Sequence, residues 1–158
     1  MPMLGRFNDL IMRAAEAFLS VSFLALIVTV GLQVAGRNLL GLPLIWTLDL
    51  AQLLFSWLVF IGAAVAFRKG AHYTVNVWPD NTPRLDLALS LLGLLVGAVV
   101  VYVLMRHGWT LMQIRWSGKV ESLAISRGWM FMPIPLGGSL MLLFLIEAAW
   151  KIVRPQKA

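Results

Sequence analysis

Asp49-Leu50-Ala51-Gln52-Leu53-Leu54-Phe55-Ser56-Trp57-Leu58-Val59-Phe60-Ile61-Gly62-Ala63-Ala64-Val65-Ala66-Phe67-Arg68 carries no charge between its two end residues. Crossing about 30 Å of hydrocarbon takes about 20 mostly apolar residues in a helix. Lipid offers the backbone no hydrogen-bond partner, so such a stretch closes its own as a helix. Residues 42–46 extend this window backwards. Working outward, three more windows lack charge. Residues 17–36 lie between Glu16 and Arg37, 87–105 between Asp86 and Arg106, and 128–146 between Arg127 and Glu147. The pattern predicts an all-α integral membrane protein, one four-helix domain over 1–158, with spans near 15–36, 44–67, 85–106 and 129–150.

Composition agrees. Of 158 residues, 60% are apolar and 13% charged, against about 45–50% and 25% in soluble domains. Mean hydropathy is +0.85. A soluble globule of this length has too little interior for that apolar mass, and disorder is excluded by the same figures. The absence of cysteine removes disulfides, thiolate metal sites and thiol nucleophiles. The formal charge of +6 fits cationic loops flanking spans better than nucleic-acid binding. The first window is read as an uncleaved span, because its apolar run exceeds a signal peptide's and no A-x-A site follows.

The connections differ. Residues 37–43 form a tight turn with Gly41 and Pro43, so the first two spans read as an antiparallel hairpin. Residues 69–83 are rich in turn formers. Residues 106–127 mix Trp109, Ile114 and Trp116 with Arg115, Lys119 and Glu121, which suggests the third span running past the bilayer into an interfacial segment. Pro133 and Pro135 should fall in the first turns of the fourth span. Arginine and lysine number eight on the side of the termini and second loop, and five in the other two loops. That bias predicts cytoplasmic N- and C-termini.

Few residues carry chemistry. His72 follows the second span and His107 the third, on opposite predicted sides, so they cannot share a haem, and a redox anchor is disfavoured. No P-loop, H-E-x-x-H or G-x-S-x-G is present. Neither an enzyme nor a resident cofactor or metal is expected. Ionisable groups inside spans are functional suspects. Asp49 is one, and Arg37 across the tight turn is its expected partner in a structural polar pair, with Gln33 near. Glu16 and Glu147 are expected to pair with the nearby Arg13 and Lys151, and Arg68 and His72 to be interfacial. Trp46, Asp49, Leu53, Trp57, Phe60 and Ala64 recur at steps of three and four, on one helical face. That face either packs inside the chain or docks another membrane subunit. Gly93 and Gly97 form a GxxxG, a packing signal that names no partner.

Residues 37–79 carry a resemblance. Arg37 ends the first span and Trp46-Thr47-Leu48-Asp49 opens the second. Trp57, Phe60-Ile61-Gly62-Ala63 and Arg68-Lys69-Gly70-Ala71-His72 follow. Glu121-Ser122-Leu123-Ala124-Ile125, Trp129 and Met132-Pro133-Ile134-Pro135-Leu136-Gly137 continue the likeness. The chain resembles the DctQ-type small membrane subunit of tripartite ATP-independent periplasmic (TRAP) transporters. Two departures are Leu48, where the family has the first of two acids, and Asn76, where an acid is frequent.

The resemblance implies a secondary active uptake system of the inner membrane for organic acid-type solutes. A periplasmic solute-binding protein captures the solute, and a large membrane subunit carries it by a sodium-driven elevator movement. The small subunit packs on that subunit's scaffold. Trp46, Trp57 and Phe60 become candidates for the subunit interface, and residues 115–127 for contact with the solute-binding protein. Besides these two proteins, membrane lipids are the expected partners. The competing reading is a small homo-oligomeric transporter whose copies share a site around Asp49.

Overall fold

The computed structural model describes the backbone of residues 2–39, 41–69 and 83–153, and the side chains of 8–39, 41–69 and 89–150. His72 and most of the second loop lie outside the described residues. Four long helices dominate: α1 (Pro2–Leu39), α2 (Ile45–Arg68), α3 (Pro83–Trp116) and α5 (Pro133–Val153). Between α3 and α5 come two short antiparallel strands, β1 (Lys119–Val120) and β2 (Ile125–Ser126), and a single helical turn, α4 (Gly128–Phe131). Each long helix is long and apolar enough to cross a membrane. The helices outrun their charge-free windows. α1 has 38 residues and α3 has 34, or about 57 and 51 Å at 1.5 Å per residue.

Local chemistry sets the boundaries. Gly41 turns the chain at φ 64°, a region that glycine enters without steric penalty. The Leu42 N–H then reaches back to the Gly36 carbonyl at 3.1 Å. Thr47, fully buried, folds its hydroxyl onto the Leu44 carbonyl at 2.6 Å and closes the start of α2. Pro133 opens α5, the position where its missing N–H disrupts least.

The long helices pack in the order α1, α2, α5, α3, with α2 and α5 in the middle. α1 reaches α5 at only a few positions. The layer is therefore open rather than a closed bundle. In α5 44% of the best spanning window is buried, against 11% in α1 and in α3. The core gathers Met12, Ala15, Ile61, Ala64, Val65, Val101, Met141 and Phe144. At Gly137 a Cβ would stand 2.7 Å from the Phe60 carbonyl oxygen, so α2 and α5 approach backbone to backbone only because that side chain is absent.

The same contacts fix relative height. A Cβ on Gly138 would meet Leu104 and Met105 at 3.1 Å, so residues 104–105 of α3 lie level with 137–138 of α5 and with Phe60 of α2. Gly97 faces Phe67 and Leu145. α3 is thus displaced along the layer relative to its own charge-free window. Arg106 and His107, expected at a membrane boundary, lie instead near the height of Phe60, midway along α2. Close glycine packing outweighs the alignment of hydropathy windows here.

Candidate functional site

Two polar clusters mark the ends of the layer, and an aromatic cleft lies between them. At one end Arg68, the last residue of α2, ties three helices. Its Nη2 donates to Asp9 Oδ1 at 2.7 Å, its Nη1 to the Asn8 carbonyl at 3.0 Å, and its Nε to Glu147 Oε2 at 3.3 Å. Asn8 Nδ2 donates to the same Glu147 oxygen at 2.8 Å. The guanidinium also stands 5.2 Å above the Phe144 ring. The Arg68 and Glu147 side chains are 16% and 14% exposed, and the planar fork suits several fixed acceptors at once. Lys69 adds an exposed pair with Glu16 at 2.8 Å.

These partners revise two expectations. Glu16 meets Lys69 of α2 rather than Arg13, and Glu147 is held by Arg68 and Asn8 from other helices. The Lys151 side chain lies outside the described residues. Arg68, expected to be simply interfacial, is mostly buried. Sequence reading sought partners within a few residues along one helix. The real ones lie 59 to 139 residues away, and only the polar identity of Asn8 ahead of an apolar window hinted at its role.

At the other end Asp49 accepts a short hydrogen bond from the Ser122 hydroxyl. Ser122 sits on the turn between β1 and β2, where Ala124 holds φ 54°. Among the described residues Arg37 forms no ion pair with Asp49. The expected Arg37–Asp49 pair is therefore corrected. The strand hairpin lies against the start of α2 and supplies a neutral donor, while Arg37 is exposed.

Between the ends, Trp57 faces a cleft lined by Phe18, Ser22, Leu53, Leu54, Ile125 and Trp129, about 290 Å³ in volume. The Phe18 ring meets the Trp57 ring edge-on at 5.6 Å. Trp57 Nε1 donates to the Trp129 carbonyl at 3.2 Å, and the Ser56 hydroxyl donates to the Met130 carbonyl at 2.6 Å. Continuous helix would give the Trp129 carbonyl the N–H of residue 133, but Pro133 has none. Trp57 supplies the missing donor from α2, as buried backbone acceptors in lipid require. Phe60 packs its backbone and Cβ against Gly137, and Ala64 is fully buried. Trp46 remains 40% exposed. Of the three interface candidates, Trp57 and Phe60 make contacts inside the chain and Trp46 points most freely outward.

No group of three or more metal-ligating side chains occurs among the described residues. The arrangement can bind helices to one another, and its four spanning helices expose broad apolar faces. Residues 26–155 match the family of tripartite ATP-independent periplasmic transporters, DctQ component. The chain belongs to the DctQ family. The sialic acid TRAP transporter small permease protein SiaQ of Vibrio cholerae is 31% identical over 134 residues, covering 82% of this chain and 76% of that protein. The C4-dicarboxylate TRAP transporter small permease protein DctQ of Rhodobacter capsulatus is 30% identical over 123 residues, covering 74% of this chain and 53% of that longer protein. This DctQ component is a small permease subunit of a TRAP transporter, a multi-pass protein of the inner membrane and not an enzyme.

Proposed function

We propose that this small permease subunit stiffens and enlarges the scaffold of a sodium-driven TRAP transporter for an organic acid. The observation that carries the reading is the open helix layer. Its outer members α1 and α3 leave apolar faces far wider than their contacts with α2 and α5 cover. A chain of this shape suits burial against a larger membrane subunit. A transport domain moving as an elevator needs such a neighbour to resist tilt. The indoles of Trp46, Trp109, Trp116 and Trp129 fit an anchoring role at the headgroup level. The relatives bear the names of transporters for sialic acid and C4-dicarboxylates, both organic acids, which supports that solute class.

In this reading the Arg68 end and both termini face the cytoplasm, in keeping with eight cations against five. The Asp49 end faces the periplasm, and residues 115–127, including the strand hairpin, help to dock the solute-binding protein. Trp46 touches the large subunit, while Trp57 and Phe60 act on that contact by shaping α4 and α5. Proteoliposomes containing the large subunit and binding protein test the proposal, with and without this chain. Sodium-dependent uptake of a carboxylate should require all three. Uptake by this chain alone would reverse the reading in favour of a homo-oligomer with a shared site around Asp49.

A further inference from the structure

Arg106 occupies an unusual position. It follows Met105, which stands level with Gly138 of α5 and hence with Phe60 of α2. Phe60 lies eight residues from Arg68 and eleven from Asp49, or about 12 and 16 Å of helix. Arg106 is therefore near the middle of the layer, measured between its polar ends. It is exposed, on the face of α3 turned away from α5. Tyr102, at 64% exposure, Trp109, at 52%, and the exposed Gln113 share this face at helical spacing.

A guanidinium has five N–H donors. Within the described residues Arg106 engages the Thr110 hydroxyl one turn along its own helix, at 3.1 Å, and no carboxylate. An arginine at this depth is among the costliest side chains to leave facing hydrocarbon, and such residues pair within protein or line a polar path. Glycine packing on α5 holds α3 at this height, so the helix cannot slide to bring Arg106 to a boundary without losing that contact. The exposed tyrosine and glutamine beside it extend a polar stripe through otherwise leucine- and valine-rich surface.

We infer that the Tyr102–Arg106–Gln113 face of α3 is an interface with the large membrane subunit, whose covering helix presents a carboxylate to Arg106 within the membrane. This rests on the reading of the chain as a subunit packed against a larger one. Charge complementarity names the occupant. A lipid tail or an apolar helix leaves the guanidinium unsatisfied, and a second copy brings another arginine.

The test uses the full chain co-expressed with its large subunit. Arg106→Leu should lower co-purification at least tenfold, with Arg106→Lys restoring part of it. The Arg106→Leu chain purified alone should keep its unfolding temperature, because no partner inside the chain is lost. A photo-crosslinking benzophenone amino acid placed at Tyr102, with Arg106 intact, should join the large subunit even if Arg106→Leu folds badly. Undiminished assembly of Arg106→Leu, or crosslinks to lipid or to a second copy alone, would overturn the inference. Failure of the wild-type pair to co-purify would instead strike the subunit reading itself.

Discussion

The two ends of the helix layer are secured by different chemistry. At the Arg68 end, one guanidinium collects two carboxylates and a carbonyl from three helices and is mostly buried. Toward the Asp49 end, neutral donors meet acceptors instead: Trp57 and Ser56 serve carbonyls of α4, and Ser122 serves Asp49. The first end depends on charge balance, so removal of one member strands the others. The second depends on backbone satisfaction near a proline, so each loss is local. This contrast teaches where the fold is vulnerable. A buried charged cluster concentrates the risk in one side chain, whereas a run of neutral hydrogen bonds spreads it.

The largest effect expected from breaking the contrast is at Arg68. Arg68→Ala leaves Glu147 beside Asn8 without its guanidinium and should destabilise the chain by about 3 kcal/mol, the scale for stranding a buried charge. Thermal unfolding in detergent or nanodiscs measures it. An unchanged midpoint would mean that the cluster is solvated and the two ends do not differ. Arg68→Lys should recover only part of the loss, since an ammonium cannot reproduce the fork.

Next comes Trp57→Phe, which keeps an aromatic ring near Phe18 but removes the donor to the Trp129 carbonyl. A loss of about 1 kcal/mol is expected from the stranded acceptor, beyond any change in packing. Pro133→Ala returns an N–H to the helix, so the donor-dependent part of the Trp57→Phe loss should shrink in the Pro133→Ala background. A double-mutant cycle reads this directly. Strict additivity would show that Trp57 does not stand in for the missing backbone donor.

The smallest effect belongs to Asp49→Asn. The amide oxygen can still accept from Ser122, so stability should change by less than about 0.5 kcal/mol, as for exposed polar sites. Uptake by the assembled transporter should persist. Abolished uptake with intact assembly would give Asp49 a part in transport and favour the shared-site alternative.

The four charge-free windows and the proline-marked start of α5 were legible because helical spans follow from local composition. Asp49 was found as a polar residue, but its partner was misplaced. Arg37 is close along the chain, whereas Ser122 is 73 residues away and reaches Asp49 only through the strand hairpin. The aromatic face of α2 left two readings open. Pro133 and Trp57 lie far apart in sequence, and nothing along the chain states that one lacks the donor the other provides.

The sequence by itself determined that this chain spans a membrane as helices, because hydrocarbon forces every backbone group to find its partner within the segment. It also carried the family resemblance, through the order of Arg37, Trp46, Asp49, Trp57 and Arg68. Only the tertiary structure decided how the helices stand against one another. It placed Arg106 at mid-height, gave Arg68 its acceptors and gave the Trp129 carbonyl its donor. Helix formation is local and one-dimensional. Relative height and pairing depend on where small residues let two backbones approach, and that becomes fixed only when the helices meet.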